Sequence, residues 1–204
     1  MTRLTKTLLA LGLVHGALHA QTAISGQALG AAVRTVATNI QSGRVTLPAG
    51  GGFLSLDVDA LSAPELSVDA LTTMTSGATD TEASTAQSTA HLENVNVLNG
   101  LITAETVIAA TSSWVSGAAG WNAEGSSFTN LTVNGVPLGS GDYLPAPNTR
   151  VDLLGVGYAV LNEQIASGAA GITVNMIHVV LQNALTGLTT GEIIVASASS
   201  SVGN

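Results

Sequence analysis

Cysteine is absent from this chain, and beyond residue 20 it has no lysine either. Arg34, Arg44 and Arg150 are the only lysine or arginine side chains in that part of the sequence. The lack of cysteine excludes thiolate nucleophiles, disulfides and soft metal ligands. The lack of lysine excludes a Schiff base and the ammonium group of a phosphate loop. We therefore expect a protein without enzymatic activity and without a cofactor.

Positive charge and aromatic rings are also scarce. Thirteen acidic side chains face three arginines after residue 20, a net charge of −10. Such a chain lacks the basic face that nucleic acids and anionic membranes attract. Two Trp, two Tyr and two Phe are too few for the aromatic-lined cleft of a glycosidase. Nucleic-acid binding is thus excluded as a function, and carbohydrate hydrolysis is disfavoured.

Long hydrophobic runs are lacking as well, with one exception at the start. Leu8 to Leu18 is apolar over about eleven residues, whereas a membrane-spanning helix needs roughly 20. Arg3 and Lys6 precede this run, and the small residue Ala20 follows it. The pattern predicts a helical signal peptide over residues 1–20, cleaved after Ala20 or, as the alternative, after Ala23. We expect a mature chain that does not insert into membranes and is secreted, extracellular or at the cell surface.

What remains is rich in Val, Ile, Leu, Thr, Ser, Ala, Gly and Asn, the residues of strands and tight turns. Asn99-Gly100 and Asn134-Gly135 predict hairpins with two-residue turns, and Pro137 predicts an edge or a bulge. The last two predicted strands are apolar on both faces, so we expect them to lie centrally and to be covered on each side. Strands joined by turns without helices predict an all-β, antiparallel, β-sandwich-like single domain, with a β-solenoid as the alternative. Further strands are predicted at Val151–Leu154, Gly157–Leu161, Ile172–Leu181 and Glu192–Ala198.

The first half of the mature chain is less regular. Ile24–Ile40 fits both helical and strand spacing, whereas Phe53–Asp59 alternates as a half-buried strand does. Residues 75–90 are almost wholly Thr, Ser, Ala, Gly, Asp and Glu, which predicts a loop or an extended polar arm. We divide the chain into the signal peptide (1–20), N-terminal strands with a Ser/Thr-rich polar arm (21–90) and a β-rich core (91–204). We expect residues 21–204 to form one domain.

Trp114 and Trp121 are the candidates for ligand or partner contact. They flank residues 115–120, a Gly/Ala-rich segment that predicts a flexible loop. Indole rings on a loop can stack on a sugar or contact a partner protein, or they can turn back to close the end of a sandwich.

The two histidines after residue 20 and one arginine favour structural roles. His178 lies in an apolar strand, which favours a core histidine bonded to the backbone over a catalytic base. His91 lies in the polar segment and is expected to be solvated, without zinc. Arg150 and Glu163 are candidates for a structural ion pair.

Asp57 and Asp59 lie on one face of a predicted strand, where they and Asp69 could share a hard cation. The full calcium-binding loop is missing, so a solvated acidic face is favoured and no metal site is predicted. An acid-pair hydrolase using Asp57, Asp59 or Glu163 would require a cleft that brings them together.

The second half of the chain contains six segments in a characteristic order: Leu98–Ala104, Gly125–Gly135, Asn148–Val151, Leu161–Gln164, Ile172–Val179 and Gly191–Ala198. Through them, residues 90–202 resemble the choice-of-anchor P family of exported bacterial proteins. That resemblance implies surface or extracellular placement and no catalytic residues, although this chain lacks a visible anchor.

Together these features predict an exported, non-enzymatic structural or adhesive protein of the bacterial surface or extracellular space. Its expected partners are further copies of itself or other surface proteins. Ile24–Ile40 is the segment expected to complete a neighbour's sheet by β-augmentation. The alternative function is a carbohydrate-binding module that contacts a glycan through Trp114 and Trp121.

Overall fold

Two antiparallel β-sheets packed together form this protein, in a computed structural model that describes residues 22–203. The signal peptide predicted over residues 1–20 lies outside the described residues. Every pairing between described strands is antiparallel. The all-β, sandwich-like prediction is therefore confirmed, and a stack of parallel solenoid coils does not describe the chain.

The smaller sheet has six strands and joins the two ends of the described chain. Its spatial order is β14-β15-β16-β17-β1-β2, so the long strands β16 and β17 are central, as the sequence predicts. The first and last strands pair directly, with Ala23 opposite Gly203. The strands are β1 (Ala23–Thr35), β2 (Asn39–Thr46), β14 (Thr149–Leu153), β15 (Gly157–Ala166), β16 (Gly171–Gln182) and β17 (Thr189–Gly203).

The larger sheet has eleven strands built around one long hairpin, β7 and β8. The path β12-β11-β8-β7-β5-β4 crosses it, while β6 pairs β7 and carries β3 at its outer edge. On the other side, β9 and β10 pair β8, and β13 pairs β10. The strands are β3 (Gly52–Val58), β4 (Leu61–Ala63), β5 (Leu66–Val68), β6 (Ala70–Thr79), β7 (Ser84–Val97), β8 (Ile102–Ser116), β9 (Ala118–Asn122), β10 (Ser127–Thr129), β11 (Thr132–Val133), β12 (Val136–Pro137) and β13 (Asp142–Tyr143).

The core lies between the two sheets and is built from aliphatic and small side chains. Phe128 is its one large ring among the fully buried side chains. Two serines bridge the sheets inside it, because Ser113 Oγ on β8 lies 2.8 Å from Ser200 Oγ on β17. Burial of aliphatic surface at about 25 cal/mol per Å² must stabilise this fold, since the chain has no cysteine for a disulfide.

A line of irregular residues crosses the smaller sheet. Asn148, Asn162, Ala196 and Gly43 in that line have φ values of 61°, 49°, 53° and 68°. The strand register is unchanged on either side, so these residues lie opposite one another. Asparagine and glycine tolerate this left-handed backbone better than other residues do.

The line changes which face of the sheet a side chain occupies. Asn175 and His178 are three residues apart on β16, yet both contact Glu163 on β15. They therefore share the outer face, and the apolar residues on either side of the line share the inner face. The prediction that β16 is covered on both sides is wrong. Its apolar residues before the line and those after it all lie on the inner face, because the line shifts the alternation of side chains.

Two segments differ from the sequence expectations. The N-terminal segment, for which the sequence left helix and strand open, is strand β1; it pairs β17 on one side and β2 on the other, so it is not free to complete a neighbour's sheet as expected. Residues 75–90, expected as a loop or arm, lie mostly in β6 and β7, which pair over their whole common length. Thr75, Ala86 and Ser88 there are buried, because side chains this small fit between closely packed sheets.

Of the two Asn-Gly hairpins, one is confirmed as predicted. Asn134-Gly135 forms a two-residue turn between the paired residues Val133 and Val136, and Pro137 lies on the edge strand β12 as expected. Around Asn99-Gly100, however, the loop has four residues, because Val97 pairs with Ile102.

Candidate functional site

A polar cluster on the outer face of the smaller sheet joins four neighbouring strands. His178 on β16 places Nδ1 3.0 Å from Glu163 Oε2 and 3.1 Å from Oε1. Asn175 Nδ2 donates a hydrogen bond of 2.7 Å to the same Oε2. On the other side of the ring, His178 Nε2 lies 3.6 Å from Glu192 Oε2 on β17, and Glu192 pairs with Arg34 on β1. We call these five residues the outer-face cluster.

The cluster favours a charged histidine. The hydrogen bond that the His178 ring N–H donates to the Glu163 carboxylate raises the pKa of His178, against the opposing effect of partial burial. The same bond holds the pKa of Glu163 below its ordinary value, with help from Asn175. Both side chains are shielded, with 20 % of His178 and 17 % of Glu163 exposed. These pKa shifts favour a positively charged His178 ring between the carboxylates of Glu163 and Glu192.

The chemistry of this cluster is limited to charge pairing. The recorded side-chain partners of His178 are two glutamates, and no serine or threonine hydroxyl hydrogen-bonds to its ring in the described chain. A serine triad is therefore not assembled here. The expectation of a backbone-bonded core histidine is wrong, because the ring binds carboxylates on a half-buried outer face. Within residues 22–203, no group of three His, Asp or Glu side chains has the geometry to hold a metal ion.

Trp114 and Trp121 lie on neighbouring strands but on opposite faces of the larger sheet. The segment between them is a hairpin that reverses at Gly117, not a flexible loop. Trp121 is opposite Ser113, which bonds to the facing sheet, so Trp121 points inward and packs against the core. Trp114 points outward over Gly120, where an added Cβ would lie 2.6 Å from its ring. The structure thus does not bring the two indoles together as one sugar-stacking surface.

Two of the predicted acidic residues hydrogen-bond to neighbouring polar side chains. Asp57 on β3 accepts a hydrogen bond of 2.7 Å from Thr72, and Asp69 accepts one of 3.0 Å from Asn94. Glu163 belongs to the other sheet, so the cleft that an acid-pair hydrolase requires is not formed by these side chains.

The prediction of an ion pair between Arg150 and Glu163 is wrong. Arg150 Nε instead lies 3.2 Å from Asp152, and its guanidinium stacks 3.8 Å above the ring of Tyr158. His91 lies half-buried on β7 opposite Thr72, inside the sheet and not in a solvated arm.

The clefts of the molecule contain little reactive chemistry. One of about 500 Å³ lies at the end of the sandwich where the described residues begin and end, at Thr22 and Gly203. None of its lining residues is ionisable: Thr22, Val115, Ala119, Ser167, Gly168, Ala169, Ala170, Ser201, Val202 and Gly203. A cleft of about 410 Å³ at the opposite end is lined by two turns and by one carboxylate, Asp152. Neither cleft brings an acid and a base together.

The most unusual surface is strand β3, at the edge of the larger sheet. It pairs with β6 on one side, and no described strand pairs with its other side. Phe53 is 63 % exposed on one face, while Leu54 and Leu56 on the other face are 41 % and 39 % exposed. Natural sheets usually protect such edges with charged side chains, above all lysine, with proline or with a bulge. β3 has no lysine, proline or bulge: its sequence is GFLSLDV, with the single charge of Asp57, and its register with β6 is unbroken.

Apolar side chains are also exposed singly at the tips of turns. Val36, Leu154 and Leu185 are 98 %, 90 % and 97 % exposed, and all three lie at the same end of the smaller sheet. They stand in loops, so they offer no row of backbone hydrogen-bonding groups as β3 does.

Comparisons of this chain with protein-family models, with curated proteins and with solved structures found no match. Residues 22–203 contain no helix of the length and apolarity needed to cross a bilayer. Its function is therefore inferred from its own sequence and geometry.

Proposed function

We propose that this chain is an exported, non-enzymatic structural or adhesive protein of the bacterial surface or extracellular space, which assembles through β-strand contacts. The observation that carries the proposal is β3, an edge strand without lysine, proline or a bulge and with exposed apolar side chains on both faces. A free edge offers backbone N–H and C=O groups to another strand, and its exposed side chains favour burial against a partner. The resemblance to the choice-of-anchor P family supports the same placement outside the cell.

The distribution of charge and chemistry fits this function. Ionisable groups are few, and the described ones engage in structural pairs such as Arg34–Glu192 or stand apart. A surface with little charge approaches a second protein surface at a low cost of desolvation. No lysine near the β3 edge opposes pairing, because the chain has none after Lys6.

Light scattering on the exported chain tests assembly. The wild type should form oligomers, and Leu54→Lys with Leu56→Lys should return it to monomers, because two charges on a free edge disfavour strand pairing. The matched control is Leu154→Lys with Leu185→Lys, which makes the same two changes at exposed turn tips and should leave the oligomers intact. A wild type that stays monomeric up to its solubility limit would refute assembly. Equal dissociation of both variants would show that β3 does not form the interface of the oligomers.

A further inference from the structure

We propose that the strand which pairs with β3 is β3 of a second copy of this chain, antiparallel, with Ser55 on the two-fold axis. This inference rests on the proposed function and specifies its partner. A two-fold interface uses the same patch on both subunits, so the patch must complement itself. β3 meets that requirement in one register better than in others.

Apolar side chains match in this register. With Ser55 opposite its own copy, Leu54 lies opposite Leu56 of the second copy, and the pair occurs twice across the axis. The four leucines would form one apolar cluster on the face where Leu54 and Leu56 are now 41 % and 39 % exposed. Directly opposed side chains in antiparallel strands have Cβ atoms about 4.5–5.5 Å apart, within contact distance.

Charge also selects this register. Asp57 is the only charged side chain on β3. Pairing about Ser55 places it opposite Phe53 of the second copy, and the two Asp57 residues are then four positions apart, about 14 Å along the strand. That separation exceeds the screening length of about 8 Å at physiological ionic strength. A parallel in-register pair, or an axis through Asp57, would place the two carboxylates side by side, which is destabilising.

One free edge of the smaller sheet, strand β2, is a poorer partner. β2 pairs on one side only, and it carries Arg44, which would attract Asp57. Yet β2 has no large apolar side chain among the strongly exposed ones, so Leu54 and Leu56 would find less apolar surface there than on a second β3. Pairing of β3 with β2 would also be heterologous and would extend into open chains, not closed dimers.

Single cysteines can measure the register, because the chain contains no cysteine of its own. Ser55→Cys places a thiol at the proposed axis. Ser62→Cys on β4 and Thr46→Cys on β2 are controls at exposed strand positions away from it. Each exported variant is treated with a mild oxidant or a short bifunctional thiol reagent and run on a non-reducing gel. Light scattering and circular dichroism confirm that assembly and fold match the wild type.

We expect Ser55→Cys to give covalent dimers as the main product, and the two controls to give at least tenfold less. Oligomers that persist while Ser55→Cys fails to cross-link would overturn the register but leave assembly standing. If the Ser55→Cys and Thr46→Cys variants cross-link only when they are mixed, the interface is formed by β3 and β2, and the proposed β3–β3 pairing is overturned. A wild type that is monomeric throughout would refute both the register and the proposed function.

Discussion

At the scale of single residues, the least ordinary group is His178, whose ring lies between Glu163 and Glu192 on an open sheet face. A hydrogen bond to a charged group contributes roughly 1–3 kcal/mol when it is shielded from water. Because the partners lie on adjacent strands, that free energy favours the correct pairing of β15, β16 and β17. Arg34 extends the same link to β1.

The stability of the protein should depend on pH through this pair. The raised pKa of His178 makes its contribution complete below the ordinary value of 6.5, and the contribution disappears as pH rises through the raised value. The lowered pKa of Glu163 makes its contribution complete above the ordinary value of 4.5, and it disappears as pH falls through the lowered value. The gain is therefore greatest between about pH 4.5 and 6.5.

Glu163→Gln tests this dependence by thermal unfolding at a series of pH values. The variant should lose roughly 1–3 kcal/mol near pH 5.5 and less as pH rises through the raised pKa of His178, because the histidine then loses its charge. Glu105→Gln is the matched control, because Glu105 also accepts a hydrogen bond from an asparagine, Asn130, but is exposed and has no histidine partner. Wild-type and Glu163→Gln curves that stay parallel at every pH would contradict the prediction.

The asparagines show which backbone conformations the sequence predicts and which it does not. Both Asn-Gly pairs lie between paired strands, because that dipeptide is a local signal for a reversal, but only Asn134-Gly135 forms the predicted two-residue turn. Asn94, Asn130, Asn148 and Asn162 also have left-handed backbones, with φ between 49° and 61°, but no glycine follows them. Their conformation depends on neighbouring strands, so sequence alone did not find it. The partners of His178 were missed for the same reason.

At the scale of elements, β6 and β7 show how a polar composition forms part of a core. Thr73, Thr75 and Ser88 are buried, and Thr75 Oγ1 lies 3.0 Å from both Ser88 Oγ and the Gln87 carbonyl oxygen. Satisfied hydroxyls carry little penalty for burial, and their small size lets β1 approach closely. Composition predicted a polar arm because it does not show which hydroxyls will find partners.

The approach of β1 to β6 gives a prediction at this scale. A Cβ on Gly26 would lie 2.4 Å from Thr75 Oγ1, so Gly26→Ala should destabilise the protein by about 1–3 kcal/mol through overpacking. Thr75→Ala removes the atom in conflict, so the double variant should lose less than the sum of the single losses. Denaturant unfolding of the four proteins measures this coupling.

Gly203→Ala on β17 is the control, because an added Cβ there meets no atom within 4 Å. It should change the free energy of unfolding by less than about 0.5 kcal/mol. Additive losses at Gly26 and Thr75 would mean that β1 and β6 are not in the close contact described.

At the scale of the whole molecule, class and architecture were readable from the sequence, whereas sheet order was not. Turn residues and short apolar runs predicted an antiparallel sandwich, and they placed β16 and β17 centrally. The pairing of β1 with β17 joins residues as distant as Ala23 and Gly203, and nothing local encodes it. The exposed edge at β3 was predicted as a strand, but its free side is a property of the assembled sheet.

The sequence of residues 1–20 predicts that the protein is exported. Expressed from Met1 in a bacterial host, the protein should be recovered outside the cytoplasm with an intact mass that begins at Gln21. A product that begins at Ile24 would indicate cleavage after Ala23 and would remove the first residue of β1. Leu11→Arg interrupts the apolar run and should leave the full-length chain in the cytoplasm. Equal export of this variant would refute the signal peptide.

The scarcity of basic side chains has a consequence for resistance to proteolysis. A protease that cuts after lysine or arginine finds only Arg34, Arg44 and Arg150 between residues 22 and 203. All three lie inside strands, in β1, β2 and β14, whereas proteolytic nicking concentrates at exposed loop tips. The turns within residues 22–203 therefore contain no lysine or arginine at which such a protease could cut, and cleavage requires that a strand first separates from its sheet.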